Sequence, residues 1–313
     1  MVNTNQLRHF IEVVERGSLA AATGPLGITQ SALTRSLQKL EESLGCELLE
    51  RDRRGARLTA YGESFLDHAR AVIFELDRAG ESLKAIQGLS EAQVKIGVSP
   101  NFLTWILPEA IAAIVARYPG INFRISTATA EDLAAQVKRC DIDLAFCQTF
   151  FNPQAKRGGR DPELNFEKLM TARARAFAPA GHPLAGRGAI SLAEAAAHAW
   201  VVPFKLTINY RFEQAFLRAN IPVPVQTINS ASISFCKSSA RALGLLMLMP
   251  EHLMAEDVAA GAMLPIDVPE LAMEHDVGLF TRKPANNQPV VRHLAEVLRR
   301  LCAEQDGNSA NAV

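Results

Sequence analysis

Apolar positions after Thr29 fall at Leu33, Leu37 and Leu40, the three-and-four spacing of a helix with one buried face. Ser18 and Thr29 each stand where a helix would begin. Their side-chain oxygens can accept the backbone N–H groups that a first turn leaves unpaired. Two capped helices in close succession are therefore predicted. Opposite the leucines lie Gln30, Ser31, Thr34, Arg35 and Gln38. These residue types match base edges, since glutamine suits adenine, arginine suits guanine, and serine or threonine suits either. A recognition helix reads the major groove with its N-terminal residues, so a helix-turn-helix is predicted here. Arg51, Arg53, Arg54 and Arg57 then crowd around Gly55 as a wing whose cations would meet phosphates beside that groove. A capped helix or an arginine-rich turn alone is ordinarily solvated surface; their coincidence at short spacing points to double-stranded DNA.

From residue 59 to about 88 the pattern changes. Phe65, Ala69, Val72, Leu76, Ala79, Leu83 and Ile86 recur in alternating steps of four and three, a heptad seam. A linker helix that pairs two chains is predicted, the alternative being an amphipathic helix lying on its own domain. From about residue 92, strand and helix alternate. VKIGVS, INFRIST and DIDLAFC read as strands, with helices at 103–118, interrupted near Pro108, and at 131–139. A second series has strands at 174–178, 200–203, 223–228 and 245–248, with helices at 209–219 and 232–242. VGLFTR and a helix at 289–304 complete the pattern, and the polar tail DGNSANAV is expected to be disordered. Continuous apolar strands between helices predict a parallel sheet covered on both faces. Residues 1–58 thus form an α-helical winged helix-turn-helix and 59–89 a linker and dimerisation helix. Two α/β, Rossmann-like subdomains follow at 90–305, the first from 90–165 and 270–305, the second from 166–269.

Composition narrows the function. Lysine plus arginine number 33 and aspartate plus glutamate 33, so any DNA affinity must come from local charge placement. The N-terminus has no apolar core of signal-peptide type, and no run suits a membrane span, so a cytoplasmic protein without a membrane partner is expected. The five cysteines are scattered and odd in number, as reduced thiols would be. The histidines form no HExxH, and no GxSxG, P-loop or zinc-ligand spacing occurs. No enzyme, metal or cofactor is expected.

LRHFIEVVERGSLAAA, ITQSALTRSLQKLEESLGCELLER and RLTAYGE resemble the LysR-type transcriptional regulators, with weaker likeness in ARYPGI, DIDLAF, AGHPLA and ALGLLMLMP. The resemblance implies a winged helix-turn-helix, a dimerising linker helix and an effector domain like a periplasmic solute-binding protein. It also implies a homodimer or homotetramer, with Gln30, Ser31, Thr34 and Arg35 facing DNA and the wing arginines on phosphates. RNA polymerase is a further candidate partner. Two segments depart from the family. SLAAATGPLG places Gly24 and Pro25 in the second helix, where a kink or an early stop is expected, and CKSSARALG is more polar than usual.

Ligands of open α/β sheets bind beyond the carboxyl ends of strands. That rule selects Ser99, Asn101, Phe102, Thr104 and Gln148 from the first subdomain, and Phe204, Thr207, Asn229 and Ser230 from the second. Serine, threonine and asparagine at helix N-termini can hold an anion, phenylalanines can wall it, and Lys205 and Arg211 are candidate helpers. A small organic acid is the expected effector and a roughly palindromic site the expected operator. Two alternatives stay open: a redox-sensing regulator using Cys140 and Cys147, and a solute-binding protein without regulatory role.

Overall fold

The computed structural model describes residues 1–52, 55–86, 93–149, 163–203, 207–228, 230–283 and 288–310. The chain divides into two compact units, one containing residues 1–94 and the other most of the remainder.

The N-terminal unit begins with α1 (Thr4–Arg16), α2 (Leu19–Leu26) and α3 (Gln30–Leu44). Each has a polar N-cap. Asn3 and Gln6 cap each other reciprocally at α1, Ser18 Oγ accepts the Ala21 N–H at 3.2 Å, and Thr29 Oγ1 accepts that of Ala32 at 3.3 Å. Pro25 lies one residue before the end of α2, which stops after eight residues at the left-handed Gly27. The helix thus runs through Pro25 without stopping there, and its end is set by Gly27, where the Gly27 and Ile28 N–H groups bond back to the Gly24 and Thr23 carbonyls. Phe10, Val13, Ala22, Leu33, Leu37 and Leu40 are fully buried between the three helices. The antiparallel hairpin of β1 (Leu49–Asp52) and β2 (Gly55–Leu58) comes next. Gly55 has φ 141°, and a Cβ there would lie 2.4 Å from Gly17 O, which accepts the Ala56 N–H at 2.9 Å. Only glycine lets the wing approach α1 that closely.

The long helix α4 (Ala60–Ile86) divides the predicted seam. Ala69 is fully buried, and Phe65 packs its ring 5.8 Å from Phe10, so these two residues belong to the unit's own core. Leu66 and Ile73 join them there, while Arg70 pairs with Glu15 at 3.1 Å and Asp77 with Arg8. Val72 and Leu76 remain 51% and 48% exposed, and Ala79 is exposed. The side chains of Leu83 and Ile86 lie outside the described residues.

After α4 the chain forms β3 (Gln93–Val98), α5 (Ile106–Arg117), β4 (Asn122–Thr127), α6 (Ala130–Lys138) and β5 (Leu144–Thr149). After them come β6 (Leu164–Pro179), α7 (Leu192–Ala196), β7 (Trp200–Val201), α8 (Thr207–Arg218), β8 (Gln226–Ile228) and α9 (Ile233–Leu243). The last elements are β9 (Leu246–Pro250), α10 (Glu251–Ala259), β10 (Met263–Ile266), β11 (Met273–Arg282) and α11 (Pro289–Ala310). Among the described residues the strands form one sheet ordered β4-β3-β5-β11-β6-β9-β7-β8, with β10 also on β6.

That sheet is mixed, which corrects the expected parallel one. β3 and β5 are parallel, as are β8, β7 and β9, but β11 runs antiparallel to both β5 and β6. The reason is connectivity. β6 leaves the first half and β11 returns to it, so the two crossing strands must run in opposite directions. Pro108 does not interrupt α5 but occupies its first turn, where the missing N–H would have had no intrahelical partner. The tail also differs, because α11 continues through Ala310 rather than ending near 304. Around Trp200, whose Nε1 donates to Ala195 O at 2.9 Å, Phe212 and Phe216 fill the core of the second half. The polar run in α9 has a role as well. Lys237 and Arg241 both pair with Asp257, 7% exposed on α10, and so tie the two helices together. Among the described residues no helix is long and apolar enough to cross a membrane.

Candidate nucleic-acid interface and effector site

Burying the leucines of α3 turns Gln30, Ser31, Arg35 and Gln38 outward, all exposed, with Thr34 half-buried. Thr34 Oγ1 donates to Gln30 O at 2.8 Å, so its methyl and lone pairs are what it has left for a base. Arg35 Nε donates to Ser31 O at 3.4 Å, which lays the guanidinium along the helix. Behind this face, His9 Nδ1 lies 2.7 Å from Ser36 Oγ and fixes α3 against α1. Burial holds the His9 pKa below its ordinary value. Lys39, which sequence reasoning passed over, is exposed one turn beyond Arg35 and shares a hollow with it, Asn3 and Asn5. On the wing, Arg57 is exposed, and its register partner across the hairpin is Glu50. Arg51 has only its backbone described, in β1, and Arg53 and Arg54 lie outside the described residues.

At the strand ends of the second unit, Ser99, Asn101, Phe102 and Gln148 come together, between 0% and 8% exposed. Asn101 Nδ2 donates to Gln148 Oε1 at 3.0 Å, and Phe102 lies 4.8 Å from Phe146, ring to ring. Asn101 Oδ1 is buried with no hydrogen-bond partner among the described residues. Thr104, in contrast, is exposed. Ser230 is half-buried, and its Oγ accepts the Ser232 N–H at 3.1 Å, beside the N-cap of α9. Thr207 opens α8 with its side chain undescribed, and Phe204, Lys205 and Asn229 lie outside the described residues. Arg211 lines a hollow with Gln214, Arg218 and Glu270.

Two aromatic residues at this site were not selected from sequence. His252, near the start of α10, stacks 4.1 Å from Trp105 and 5.4 Å from Phe102, and its Nε2 is 3.2 Å from Asn101 O. Burial pushes the His252 pKa down to about 3; the Asn101 carbonyl opposes this and His275 adds to it. Extending the strand-end rule to the segment after LLMLMP would have found this histidine.

Residues 4–63 match the family model for the bacterial regulatory helix-turn-helix protein, lysR family, and residues 87–303 match the LysR substrate binding domain. The chain belongs to the LysR family. It is 29% identical to the HTH-type transcriptional regulator PcaQ of Agrobacterium fabrum, over 92% of this chain and 90% of that one. It is 28% identical to the SDS degradation transcriptional activation protein of a Pseudomonas species, over 100% of this chain and 99% of that protein. Full-length LysG from Corynebacterium glutamicum, solved with bound effector Arg, superposes with TM-score 0.68 at 20% identity, covering 97% of this chain and 99% of that one. The last comparison carries the fold alone. The chain is accordingly a LysR-type transcriptional regulator with a helix-turn-helix domain and an effector-binding domain, in a family of regulators rather than enzymes.

In this LysR-family chain all five cysteines are thiols. Cys147 is fully buried in β5, and burial, with Glu131 adding, pushes its thiol up to about 12. Peroxide reacts with the thiolate, so this site offers little of the reactive form. Cys140 sits in a left-handed turn after α6, with φ 63° and 8% exposure. The Cys147 environment does not favour the redox alternative.

Proposed function

We propose that the chain is a sequence-specific DNA-binding regulator controlled by a small organic acid, with no enzymatic step of its own. The observation that carries the DNA assignment is the exposed row Gln30, Ser31, Arg35 and Gln38 at the N-terminal end of a helix whose opposite face is locked by buried leucines. In this reading residues 1–58 bind DNA, 59–89 pair two copies, and 90–305 respond to the effector. Val72, Leu76 and Ala79 supply the exposed part of the pairing seam. The dimer meets a roughly palindromic operator in the cytoplasm, with RNA polymerase as a further partner.

Arg35→Ala is expected to cost about 1–3 kcal/mol at particular base pairs and to relax specificity there. Arg57→Ala should weaken binding on every sequence alike and make the salt dependence shallower by about one unit. Titrating operator and random DNA at several salt concentrations separates the two. Equal losses on both DNAs for Arg35→Ala would overturn the base-reading assignment.

Support for an organic acid comes from uncharged donors beside aromatic walls. The Gln148 and Asn101 amides, together with the α9 N-terminus, can hold a carboxylate while Phe102 and Phe146 cover its apolar part. Bound effector would favour one arrangement of the two halves, and hence one spacing of paired recognition helices. A thermal-shift screen of organic acids tests this, because a ligand at a hundred times its dissociation constant stabilises by about 2.7 kcal/mol. A flat response across acids, with a shift from another chemical class, would overturn the organic-acid assignment.

A further inference from the structure

We propose that His252 is a positioning residue that latches the two halves of the effector domain, setting the Asn101–Gln148 pair through a three-ring contact and a hydrogen bond. The topology makes this contact unusual. Asn101, Phe102 and Trp105 follow β3 in the first half, whereas His252 follows β9 in the second. The crossing strands β11 and β6 lie between those halves in the sheet. His252 nevertheless stacks 4.1 Å from Trp105 and 5.4 Å from Phe102, and its Nε2 is 3.2 Å from the carbonyl of Asn101. The same Asn101 donates through Nδ2 to Gln148 at 3.0 Å. Moving His252 away therefore releases the backbone that holds one member of the amide pair.

The latch requires a neutral ring. A carbonyl oxygen only accepts, so Nε2 carries the proton and Nδ1 is left as the unprotonated nitrogen. A second proton would place a cation on a half-buried ring stacked between Trp105 and Phe102. It would also sit in the first turn of α10, where the helix dipole disfavours positive charge. The ionisable neighbours reinforce this. His275 on β11 adds repulsion and itself feels the charge of its chain neighbour Asp276, which pairs with Lys168, while Glu251 on α10 is held by Arg175 on β6.

Closing the latch thus lowers the histidine from its ordinary 6.5 to about 3. Since the closed pKa is the depressed one, the latch is fully favoured above 6.5 and is progressively lost as pH falls below that value. Below pH 6.5 the closed form loses about tenfold against the open form per pH unit, until the closed pKa is reached. This inference uses the strand-end effector reading only for its consequence, that acid loosens the effector site.

Tryptophan emission reads the latch without any effector. The chain has two tryptophans. Trp200 is fully buried and constant, whereas Trp105 lies against His252. Acrylamide quenching of the full chain should rise severalfold between pH 8 and pH 4.5 as Trp105 is uncovered. His252→Phe, which keeps a ring without a titrating proton, should remove that rise. His252→Gln, which keeps a donor toward Asn101 O, should remove it too, and His252→Ala should be strongly quenched already at pH 8. A pH response common to all four chains, or quenching of His252→Ala equal to that of the parent at pH 8, would overturn the latch. Organic-acid binding in the thermal-shift screen is a separate readout, so either idea can fail while the other stands.

Discussion

Replacing Val72 and Leu76 together by glutamate is expected to leave a folded monomer whose affinity for a palindromic operator is about 10²–10⁴-fold lower. Both side chains are about half exposed in the chain alone, 51% and 48%, and neither belongs to the buried cluster that joins α4 to α1. Charge at these positions should therefore cost the single chain little. Across a helix pair the same carboxylates would face each other at seam positions that require apolar contact, with the repulsion unpaired and desolvated. A monomer keeps one recognition helix per molecule and loses the effective concentration that ties the second half-site to the first. Sedimentation velocity should show the mass of a single chain, with unchanged circular dichroism. Ala69→Glu makes a contrasting control, because Ala69 is fully buried and its replacement should unfold the N-terminal unit instead. A double variant that still sediments as the parent does would remove α4 from the pairing role.

The two halves of the seam show where sequence periodicity stops being informative. A heptad template accepts Phe65 and Ala69 as readily as Val72 and Leu76, because steps of three and four describe a stripe and not its occupant. The occupant differs along the helix. α4 is fastened to α1 by the pairs Arg70–Glu15 and Arg8–Asp77, and Val72 and Leu76, between those two fastenings, stay exposed on the side away from the buried Phe65–Ala69 cluster. Neither ion pair could be foreseen, since their partners are 55 and 69 residues apart.

Separation in sequence explains most of what else was legible. The caps at Ser18 and Thr29 and the row from Gln30 to Gln38 are local features, formed within a few residues, and they stand where the pattern placed them. Strand ends were local enough for Ser99, Asn101, Phe102 and Gln148 to be named. Their actual chemistry is long-range: Asn101 meets Gln148 across 47 residues and His252 across 151. No spacing rule reaches that far. The mixed character of the sheet escapes the sequence for a related reason. A strand buried on both faces reads as a continuous apolar run whichever way its neighbours point, and direction is set by the crossing of β6 and β11. Pro108 is ambiguous in the sequence because a helix breaker and an N-terminal proline are the same residue until the helix start is known.

Gly62→Ala is expected to destabilise the N-terminal unit by about 3 kcal/mol, at the upper end of overpacking costs, although helix propensity alone predicts a gain of about 1 kcal/mol. The sign decides between local and tertiary control. Gly62 lies in the first turn of α4, where a Cβ would stand 2.1 Å from Leu48 O and 2.9 Å from Leu58 Cδ2. Leu48 O cannot yield easily, because it accepts the Thr59 N–H at 3.0 Å. Thr59 is itself stitched in place, its Oγ1 donating to Glu47 O at 2.7 Å and accepting the Gly62 N–H at 3.0 Å. Relief would have to move α4 away from the wing and with it the packing of Phe65 on Phe10. Gly80→Ala is the matched control, since a Cβ there meets nothing within 4 Å and only propensity acts. Calorimetry of the full chain should show the first transition falling by about 4–8 °C for each kcal/mol lost from a unit of this size. For Gly80→Ala it should rise. If Gly62→Ala raised it as well, the wing and linker helix would not be packed as closely as these distances require, and local propensity would govern both positions.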